Sequence, residues 1–125
     1  YEQTNVLLRS LYREPPWRDE LPAFDRLLSG RIDTLQRESI SGSGYVVSTL
    51  EAGVYLLLRS TSYAHAVLEA VNLGEDTDTT ACVTGGLAGV WFGLGGIPSD
   101  WLAVLARRTE LASWFDAFVS VIEQA

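Results

Sequence analysis

The stretch Leu73–Thr80 (LGEDTDTT) leads directly into Ala81–Gly96 (ACVTGGLAGVWFGLGG), a glycine-rich segment without a charged residue. Glu75, Asp76 and Asp78 place three carboxylates within four positions at this boundary. Carboxylates at the entrance to a buried helix repel one another and lose water, which is unfavourable unless a cation or hydrogen-bond donors compensate. The sequence therefore predicts a positive partner here and a buried helix behind it.

Asp76, Asp78 and the hydroxyl of Thr79 offer oxygen ligands within one short arc of chain. Hard oxygen ligands suit magnesium, calcium or manganese, and so short an arc supplies only part of a coordination shell. A second interpretation is purely structural, with Asp76 or Asp78 as the N-cap of the helix and the other carboxylates complementing the helix dipole. The residues alone leave both interpretations open.

The glycine-rich segment is predicted to form one buried core helix between Thr77 and Leu94. Its small residues recur near four-residue spacing, at Ala81, Gly85, Ala88, Gly89 and Gly93. Small side chains let a neighbouring helix approach closely, which offsets the ~1 kcal/mol penalty of each helical glycine. A membrane span is disfavoured because the apolar run falls short of ~20 residues and has no basic residue beside it. Cys82 is predicted to be a small buried hydrophobe of this helix.

Apolar residues recur at helical spacing through most of the chain, and the alternation typical of strands is missing. Further helices are predicted from Val6 to the Pro15-Pro16 pair, over 21–30, 45–60, 62–73 and 98–105, and from a Thr109 cap onward. Residues 1–125 are therefore predicted to be one all-α domain, a compact multi-helix bundle with the glycine-rich helix at its centre. The side chains expected to face inward after Pro98 are Trp101, Leu102, Val104 and Leu105.

Two titratable side chains lie inside predicted helices. Glu51 interrupts a nearly continuous apolar pattern, which fits either a hydrogen-bond partner of a site residue or a satisfied structural group. His65, the only histidine, lies between two alanines on a face flanked by polar positions, away from the acidic stretch. We predict an exposed helical histidine there and assign it no catalytic role.

A polar stretch rich in serine and glycine, from Ser39 to Gly44, precedes the helix predicted over 45–60. Backbone amides of such a loop, together with the dipole of the helix that follows, favour phosphate. The alternative is a plain flexible connection capped by Ser43. The residues of this stretch alone leave both interpretations open.

Two blocks of the chain resemble the ADP-ribosylglycohydrolase family. The upstream block is Ser43–Ala52 (SGYVVSTLEA), and the downstream block joins Ala70–Thr80 (AVNLGEDTDTT) to Gly85–Gly89 (GGLAG) and Gly96–Leu102 (GIPSDWL). Members of this family are all-helical enzymes that remove ADP-ribose from modified acceptors with a pair of magnesium ions. The resemblance covers roughly residues 42–105, in which Glu75 stands where the family usually has glycine.

The resemblance implies roles for two groups of residues. The expected ligands of the two magnesium ions, with manganese as the alternative ion, are Asp76, Asp78 and Thr79. The expected contacts to the ADP-ribose ligand are Ser43, Gly44 and Tyr45. Cations held in this way would orient the ribose hydroxyls and polarise water for attack at the anomeric carbon.

The family's other metal ligands and its acidic proton-transfer residue have no counterpart in residues 1–125. The resemblance therefore implies the carboxy-terminal portion of a larger domain, which hydrolyses ADP-ribosylated substrates only together with its amino-terminal half, in the same or another chain. The alternative is a non-catalytic helical module of the same fold that binds ADP-ribose or has a structural role. A metal-free bundle with aspartate caps is the third interpretation.

Length, charge and cysteine content limit the domain number, the partners and the cellular location expected for this chain. A chain of 125 residues forms one domain and can bury around two thirds of its unfolded surface. Nine basic against sixteen acidic residues, a net charge of −7 and no dense basic run argue against a nucleic-acid groove. One cysteine allows no internal disulfide, and the amino terminus lacks a secretion signal, so a reducing, cytoplasmic location without membrane association is predicted.

Overall fold

The computed structural model describes residues 1–124, and it contains seven α-helices and no strand within them. The α-helices are α1 (Glu2–Leu11), α2 (Asp25–Leu28), α3 (Val46–Arg59), α4 (Tyr63–Val71), α5 (Thr77–Phe92), α6 (Ser99–Val104) and α7 (Arg108–Ile122). The 3-10 segments are Trp17–Phe24, Ile32–Thr34, Arg37–Ser39 and Leu94–Gly96. The predicted all-α bundle is confirmed.

The central unit consists of α3, α4 and α5, which run up, down and up. A Cβ built at Gly53 of α3 would lie 3.4 Å from Val83 and 3.2 Å from Leu87 of α5, so equivalent turns of α3 and α5 face each other. Tyr63 begins α4 yet lies beside Gly85, past the middle of α5. Helices α3 and α5 are therefore parallel neighbours, and the loops that precede them lie at the same end of the bundle.

Helix α3 is buried on more than one side, as its apolar pattern predicted. Its buried residues are Val47, Thr49, Glu51, Ala52, Gly53, Tyr55 and Leu56. They pack with side chains from the preceding segment, among them Leu27, the fully buried Ile32, and Ile40. Burial of a side chain of this size stabilises the fold by roughly 1.5–3 kcal/mol, so this cluster anchors the domain.

Helix α5 is central, but it buries one narrow stripe rather than its whole circumference. Thr80, Thr84 and Ala88 are buried at four-residue spacing. Cys82 is exposed, so the prediction that it is a buried hydrophobe was wrong. The reason is its position on the helix, since a residue two places from Thr80 and Thr84 points away from α3 and α4.

Close helix approach occurs at only some of the glycines. A Cβ at Gly85 would lie 3.2 Å from the Tyr63 hydroxyl of α4, whereas Cβ atoms at Gly86, Gly89 and Gly93 would meet nothing within 4 Å. The predicted stripe of small residues therefore serves packing at Gly85 and at the fully buried Ala88, whereas Gly89 and Gly93 have open space around them.

The carboxy-terminal helices lie on the outside of the bundle. Neither α6 nor α7 contains a buried residue. Val104 and Leu105 are 83% and 47% exposed, which corrects the expectation that they face inward. Helix α7 begins after Arg107, at φ 57°, rather than at a Thr109 cap. Within residues 1–124, none of the helices has the length and apolar character needed to cross a membrane.

Candidate functional site

The loops that precede α3 and α5 are joined through one carbonyl group. The Gly42 carbonyl accepts a hydrogen bond from the Asp76 amide at 3.0 Å and another from the buried Thr80 hydroxyl at 3.4 Å. A Cβ at Gly42 would lie 2.4 Å from the Gly74 carbonyl oxygen, a distance that real side chains do not reach. The two predicted site segments, 34 residues apart at Gly42 and Asp76, therefore form a single structure.

Gly44 lies against the first carboxylate of the acidic stretch. A Cβ at this position would be 2.1 Å from Asp76 Oδ2, so only glycine lets the loop backbone approach the carboxylate this closely. The neighbouring turn uses two residues with positive φ, Gly74 at 89° and Glu75 at 60°. The Ser41 hydroxyl, 3.2 Å from Glu75 Oε2, donates to that carboxylate and fastens the turn to the serine-rich loop.

Asp76 and Asp78 lie at the start of α5 and interact with each other and with Thr79. Asp76 occupies the N-cap position of α5 without a capping hydrogen bond of ordinary geometry, and Asp78 Oδ1 accepts from the adjacent Thr79 amide at 2.9 Å. Hydrogen bonding with the Asp78 carboxyl, and then with Thr79, lowers the pKa of Asp76. The Asp76 carboxylate is therefore ionised at neutral pH, and its position at a helix N-terminus favours the same state.

The start of α3 also lacks a side-chain cap. Tyr45 occupies its N-cap position, is 61% exposed and makes no capping hydrogen bond. The buried Thr49 hydroxyl lies 3.1 Å from the Ser43 carbonyl oxygen and 3.2 Å from the Tyr45 carbonyl oxygen. It therefore ties the loop to the first turn of α3. The first-turn amides of α3 thus remain without a side-chain acceptor, which suits an anionic ligand.

An open cavity of about 360 Å³ lies between the two helix starts. Its lining residues are Gly44, Val46, Thr49, Leu50, Thr79 and Val83. The walls are apolar side chains of α3 and α5, and Gly44 and Thr79 provide the polar edge. A volume of this order accepts a nucleoside-sized group.

The donor set fits magnesium or manganese in chemistry but is incomplete in number. Two carboxylates and the Thr79 hydroxyl are hard oxygen donors, as such ions require. Within residues 1–124, no group of three or more His, Cys, Asp or Glu side chains is placed to hold a metal ion. Asp76, Asp78 and Thr79 would therefore supply only a fraction of a coordination shell by themselves.

The other two titratable residues singled out by sequence lie outside the site. Glu51 is buried, and burial raises its pKa against the opposing charge of Arg26, whose Nε is 3.6 Å from Glu51 Oε2. That pairing supports the structural interpretation of Glu51. His65 is exposed, as predicted, and lines a separate cavity of about 260 Å³ beside the Arg37–Glu69 ion pair.

The sequence pattern did not reveal the Gly42 carbonyl as the group that joins the two loops. Backbone acceptors have no residue signature of their own, because any residue carries one. The signal was the repeated glycine at Gly42 and Gly44, since alternating glycines often mark close approach of another backbone or ligand.

Fold and site together define an all-helical protein with a glycine-rich loop and an acidic turn at the adjoining starts of two parallel helices. The family model for ADP-ribosylglycohydrolase matches residues 2–125. The chain belongs to the ADP-ribosylglycohydrolase family, as the resemblance indicated.

Several characterised proteins are similar to this chain over part of their length. An ADP-ribosylarginine hydrolase, Tri1, of Serratia proteamaculans is 35% identical over 113 residues, which are 87% of this chain and 31% of the relative. Tri1 of Pseudomonas putida is 38% identical over 78 residues, which are 62% of this chain and 21% of the relative. An ADP-ribosyl-[dinitrogen reductase] glycohydrolase of Rhodospirillum rubrum is 34% identical over 54% of this chain and 23% of the relative. The chain spans at most about a third of the length of these three proteins.

Proposed function

We propose that this chain forms the carboxy-terminal part of a magnesium-dependent hydrolase that removes ADP-ribose from a modified acceptor. Asp76, Asp78 and Thr79 would contribute their share of a dinuclear magnesium site, with manganese as the alternative ion. The remaining ligands and the acidic proton-transfer residue would come from the rest of a complete family fold. A reducing compartment such as the cytoplasm fits the exposed thiol of Cys82.

The observation that carries the proposal is the contact between the two loops. One carbonyl, that of Gly42, fixes the acidic turn, and Gly44 lies directly against the Asp76 carboxylate. The loop expected to contact the ligand and the residues expected to hold metal are therefore adjacent. The relatives named as ADP-ribosyl hydrolases support the choice of substrate class.

The chain's own residues would bind and position the substrate. Asp76 presents an ionised carboxylate at neutral pH, and the carboxyl group of Asp78 and the Thr79 hydroxyl extend the same set of oxygen donors. The uncapped amides that follow Ser43, Gly44 and Tyr45 would hold the pyrophosphate of ADP-ribose. Magnesium, when bound, supplies Lewis-acid chemistry that orients ribose hydroxyls and polarises water near the anomeric carbon. Val46, Leu50 and Val83 form the apolar wall of the cavity.

A non-catalytic module that binds ADP-ribose without hydrolysing it is the second candidate. It is favoured by the small number of metal-binding side chains within residues 1–124. A metal-free bundle in which Asp76 caps α5 is the third candidate, since Asp76 occupies the N-cap position and hydrogen bonding with Thr79 lowers its pKa.

Magnesium-dependent thermal stability tests the metal site. At ten times the dissociation constant, a bound ion stabilises the fold by about 1.4 kcal/mol, or roughly 5 °C in Tm for a domain of this size. We expect this shift in the unmodified chain and its loss in Asp78→Ala. Asp100→Ala is the matched control, because Asp100 is an exposed carboxylate in the first turn of another helix.

Calorimetric titration of ADP-ribose, followed by a hydrolysis assay, separates the two candidates. The proposal expects ADP-ribose binding by the chain and magnesium-dependent release from ADP-ribosylarginine once the fold is complete. Binding without release in the complete fold would favour the non-catalytic module. A magnesium shift that persists in Asp78→Ala contradicts the assigned metal site.

A further inference from the structure

Basic side chains meet in a second cavity, although the chain as a whole is acidic. This cavity has a volume of about 260 Å³ and shares no lining residue with the cavity between the starts of α3 and α5. Its lining includes two of the nine basic residues of the chain and the only histidine. The lining residues that matter for binding are Arg37, Tyr55, Leu56, Arg59, His65 and Glu69. In a chain of net charge −7, such a local excess of basic groups favours an anionic ligand.

Arg59, at the end of α3, is held in a defined position. Its Nη1 donates to the Asp33 carbonyl at 2.8 Å, and its guanidinium carbon lies 5.4 Å from the centroid of the Tyr55 ring. Tyr55 is 3% exposed, so the ring is a fixed support for the cation. Within residues 1–124 Arg59 forms no ion pair, and the Asp33 carbonyl occupies one of its five N–H donors. Arg59 therefore presents an oriented positive charge that no carboxylate balances.

The other arginine of the cavity is already paired. Arg37 Nη1 contacts Glu69 Oε2, and the two side chains are 38% and 35% exposed. Because this ion pair involves one nitrogen of the guanidinium, the remaining N–H groups of Arg37 can still donate to a ligand. The Glu69 carboxylate repels an anion, so it lowers the affinity of the cavity for one.

His65 contributes a donor from the first turn of α4. The Ser62 side chain accepts from the His65 amide at 3.1 Å and fixes the backbone to which the ring is attached. An imidazole ring carries an N–H donor even when it is neutral. The dipole at the start of α4 adds to the preference for negative charge at this place.

The remaining wall of the cavity is apolar. Leu56 and the ring of Tyr55 are both 3% exposed and supply this wall. Ligand sites for drug-sized molecules usually measure roughly 300–1,000 Å³, and this cavity is slightly smaller. Its size therefore fits a small anion, or a small compound with one anionic group, better than a nucleotide.

We propose that this cavity binds a phosphate group, either as the free ion or on a small organic compound. The planar fork of an arginine guanidinium matches the oxygens of phosphate. Arg59 supplies the unbalanced charge, and Arg37 and His65 supply further donors. None of these residues belongs to the proposed metal and ADP-ribose site, so the proposal does not rest on the proposed function.

The single histidine makes binding observable by proton NMR. The ring C–H signals of His65 are the only histidine signals of the chain, and they report on charge placed beside the ring. Inorganic phosphate is titrated into the chain without magnesium, at fixed pH and ionic strength, because histidine signals and surface electrostatics depend on both. We expect a shift of these signals that saturates in the low millimolar range of phosphate.

Substitutions of Arg59 test the main charge of the cavity. Arg59→Gln should weaken phosphate binding about tenfold or more, and Arg59→Lys should restore part of the affinity, since it keeps the charge without the fork. Arg18→Gln is the matched control and should change nothing. Arg18 also donates to a backbone carbonyl, that of Arg13 at 3.0 Å, but it lies on the exposed surface outside the cavity.

Glu69→Gln gives a test of opposite sign. It removes the carboxylate that neutralises Arg37, so we expect phosphate to bind about threefold to tenfold more tightly. A loss of structure would lower the affinity instead, which separates this outcome from a folding defect. Glu110→Gln, which breaks the ion pair with Arg107 elsewhere on the surface, should leave phosphate binding unchanged.

The same titrations contain the results that would overturn the proposal. A shift that stays linear in phosphate concentration, or one that is equally strong in Arg59→Gln, would remove the site. Tighter binding of acetate than of phosphate would exclude the phosphate assignment. Glycerol 3-phosphate distinguishes the two sources of the group: tighter binding than inorganic phosphate supports a phosphorylated compound, and equal or weaker binding supports the free ion.

Discussion

The two ends of the parallel pair α3 and α5 use glycine and apolar residues in opposite ways. At the end where both helices start, Gly42 and Gly44 have no room for a side chain, and backbone groups of the two loops are hydrogen-bonded to each other. At the other end Gly86 and Gly89 have empty space around them and Trp91 is exposed, and a Cβ at the one tight glycine there, Gly96, would meet a side chain, that of Phe92 at 2.7 Å, rather than backbone. The two ends of α5 therefore differ although their composition is similar. Its start is covered by hydrogen-bonded backbone of the loops, whereas apolar side chains at its far end are exposed.

The strongest test of this comparison is Gly42→Ala. The added Cβ meets the Gly74 carbonyl oxygen at 2.4 Å, and backbone on both sides must shift. We expect a loss of roughly 2–3 kcal/mol in the free energy of unfolding, measured by chemical denaturation. Gly86→Ala is the matched control at an open helical position, where alanine should stabilise the fold by about 0.5–1 kcal/mol. Equal effects of the two substitutions would remove the distinction between the ends.

Gly44→Ala separates binding from stability at the loop end. Its Cβ meets Asp76 Oδ2 at 2.1 Å, and this side chain, unlike a carbonyl, can rotate away. We therefore expect a modest change in stability, below about 1 kcal/mol, and a loss of magnesium affinity of about tenfold or more, because the carboxylate leaves its place beside Asp78. Isothermal titration calorimetry with magnesium measures the affinity. Unchanged affinity would show that Asp76 does not need its observed position.

Two buried threonines of α5, one turn apart, show where the hydrogen bonding to the loops stops. The Thr80 hydroxyl donates to the Gly42 carbonyl, whereas the Thr84 hydroxyl, also fully buried, has no hydrogen-bond partner. Removing an unpaired buried hydroxyl relieves its desolvation, so Thr84→Val should stabilise the fold by about 1 kcal/mol. Thr80→Val should destabilise it by a similar amount, since it leaves the Gly42 carbonyl with one donor fewer. The opposite signs are read from paired urea denaturation curves.

The smallest expected effect is at Glu51, midway along α3. Burial raises the pKa of Glu51 above its ordinary value of 4.5, so the folded state binds this proton more tightly than the unfolded chain does. Its contribution to stability is full below pH 4.5 and is lost as pH rises through the folded-state pKa. Glu51→Gln should remove that pH dependence and raise stability at pH 7 by about 0.5–1 kcal/mol.

Thermal melts of both forms at acid and neutral pH supply the measurement for Glu51. The difference in Tm between Glu51→Gln and the unmodified chain should widen from pH 4 to pH 7. A constant difference across that range would mean that the Arg26 ion pair compensates the burial fully, and that the middle of α3 behaves like an exposed surface.

The sequence predicted most of the fold because its signals are local. Helical spacing and capping decide where helices lie, and Ser62, predicted as a cap, accepts from the His65 amide at 3.1 Å. The association of residues 43–45 with 76–79 followed from the family resemblance rather than from periodicity. The structure shows how it arises, since α4 returns the chain so that α5 starts where α3 starts.

The errors concern which apolar residues are covered. Cys82, Val104 and Leu105 have the composition of core residues and lie on the outside. Periodicity identifies a face that requires a partner, but it does not state whether that partner is within the same 125 residues.

The exposed thiol of Cys82 makes the site observable in a direct way. It is the single sulfhydryl in the chain, so a nitroxide label attaches at one place. Its side chain follows Asp78 by four residues on the same helix, which places their Cβ atoms about 6 Å apart. Manganese bound at Asp78 would then quench the label's paramagnetic signal, so that occupancy is read spectroscopically without any turnover of substrate.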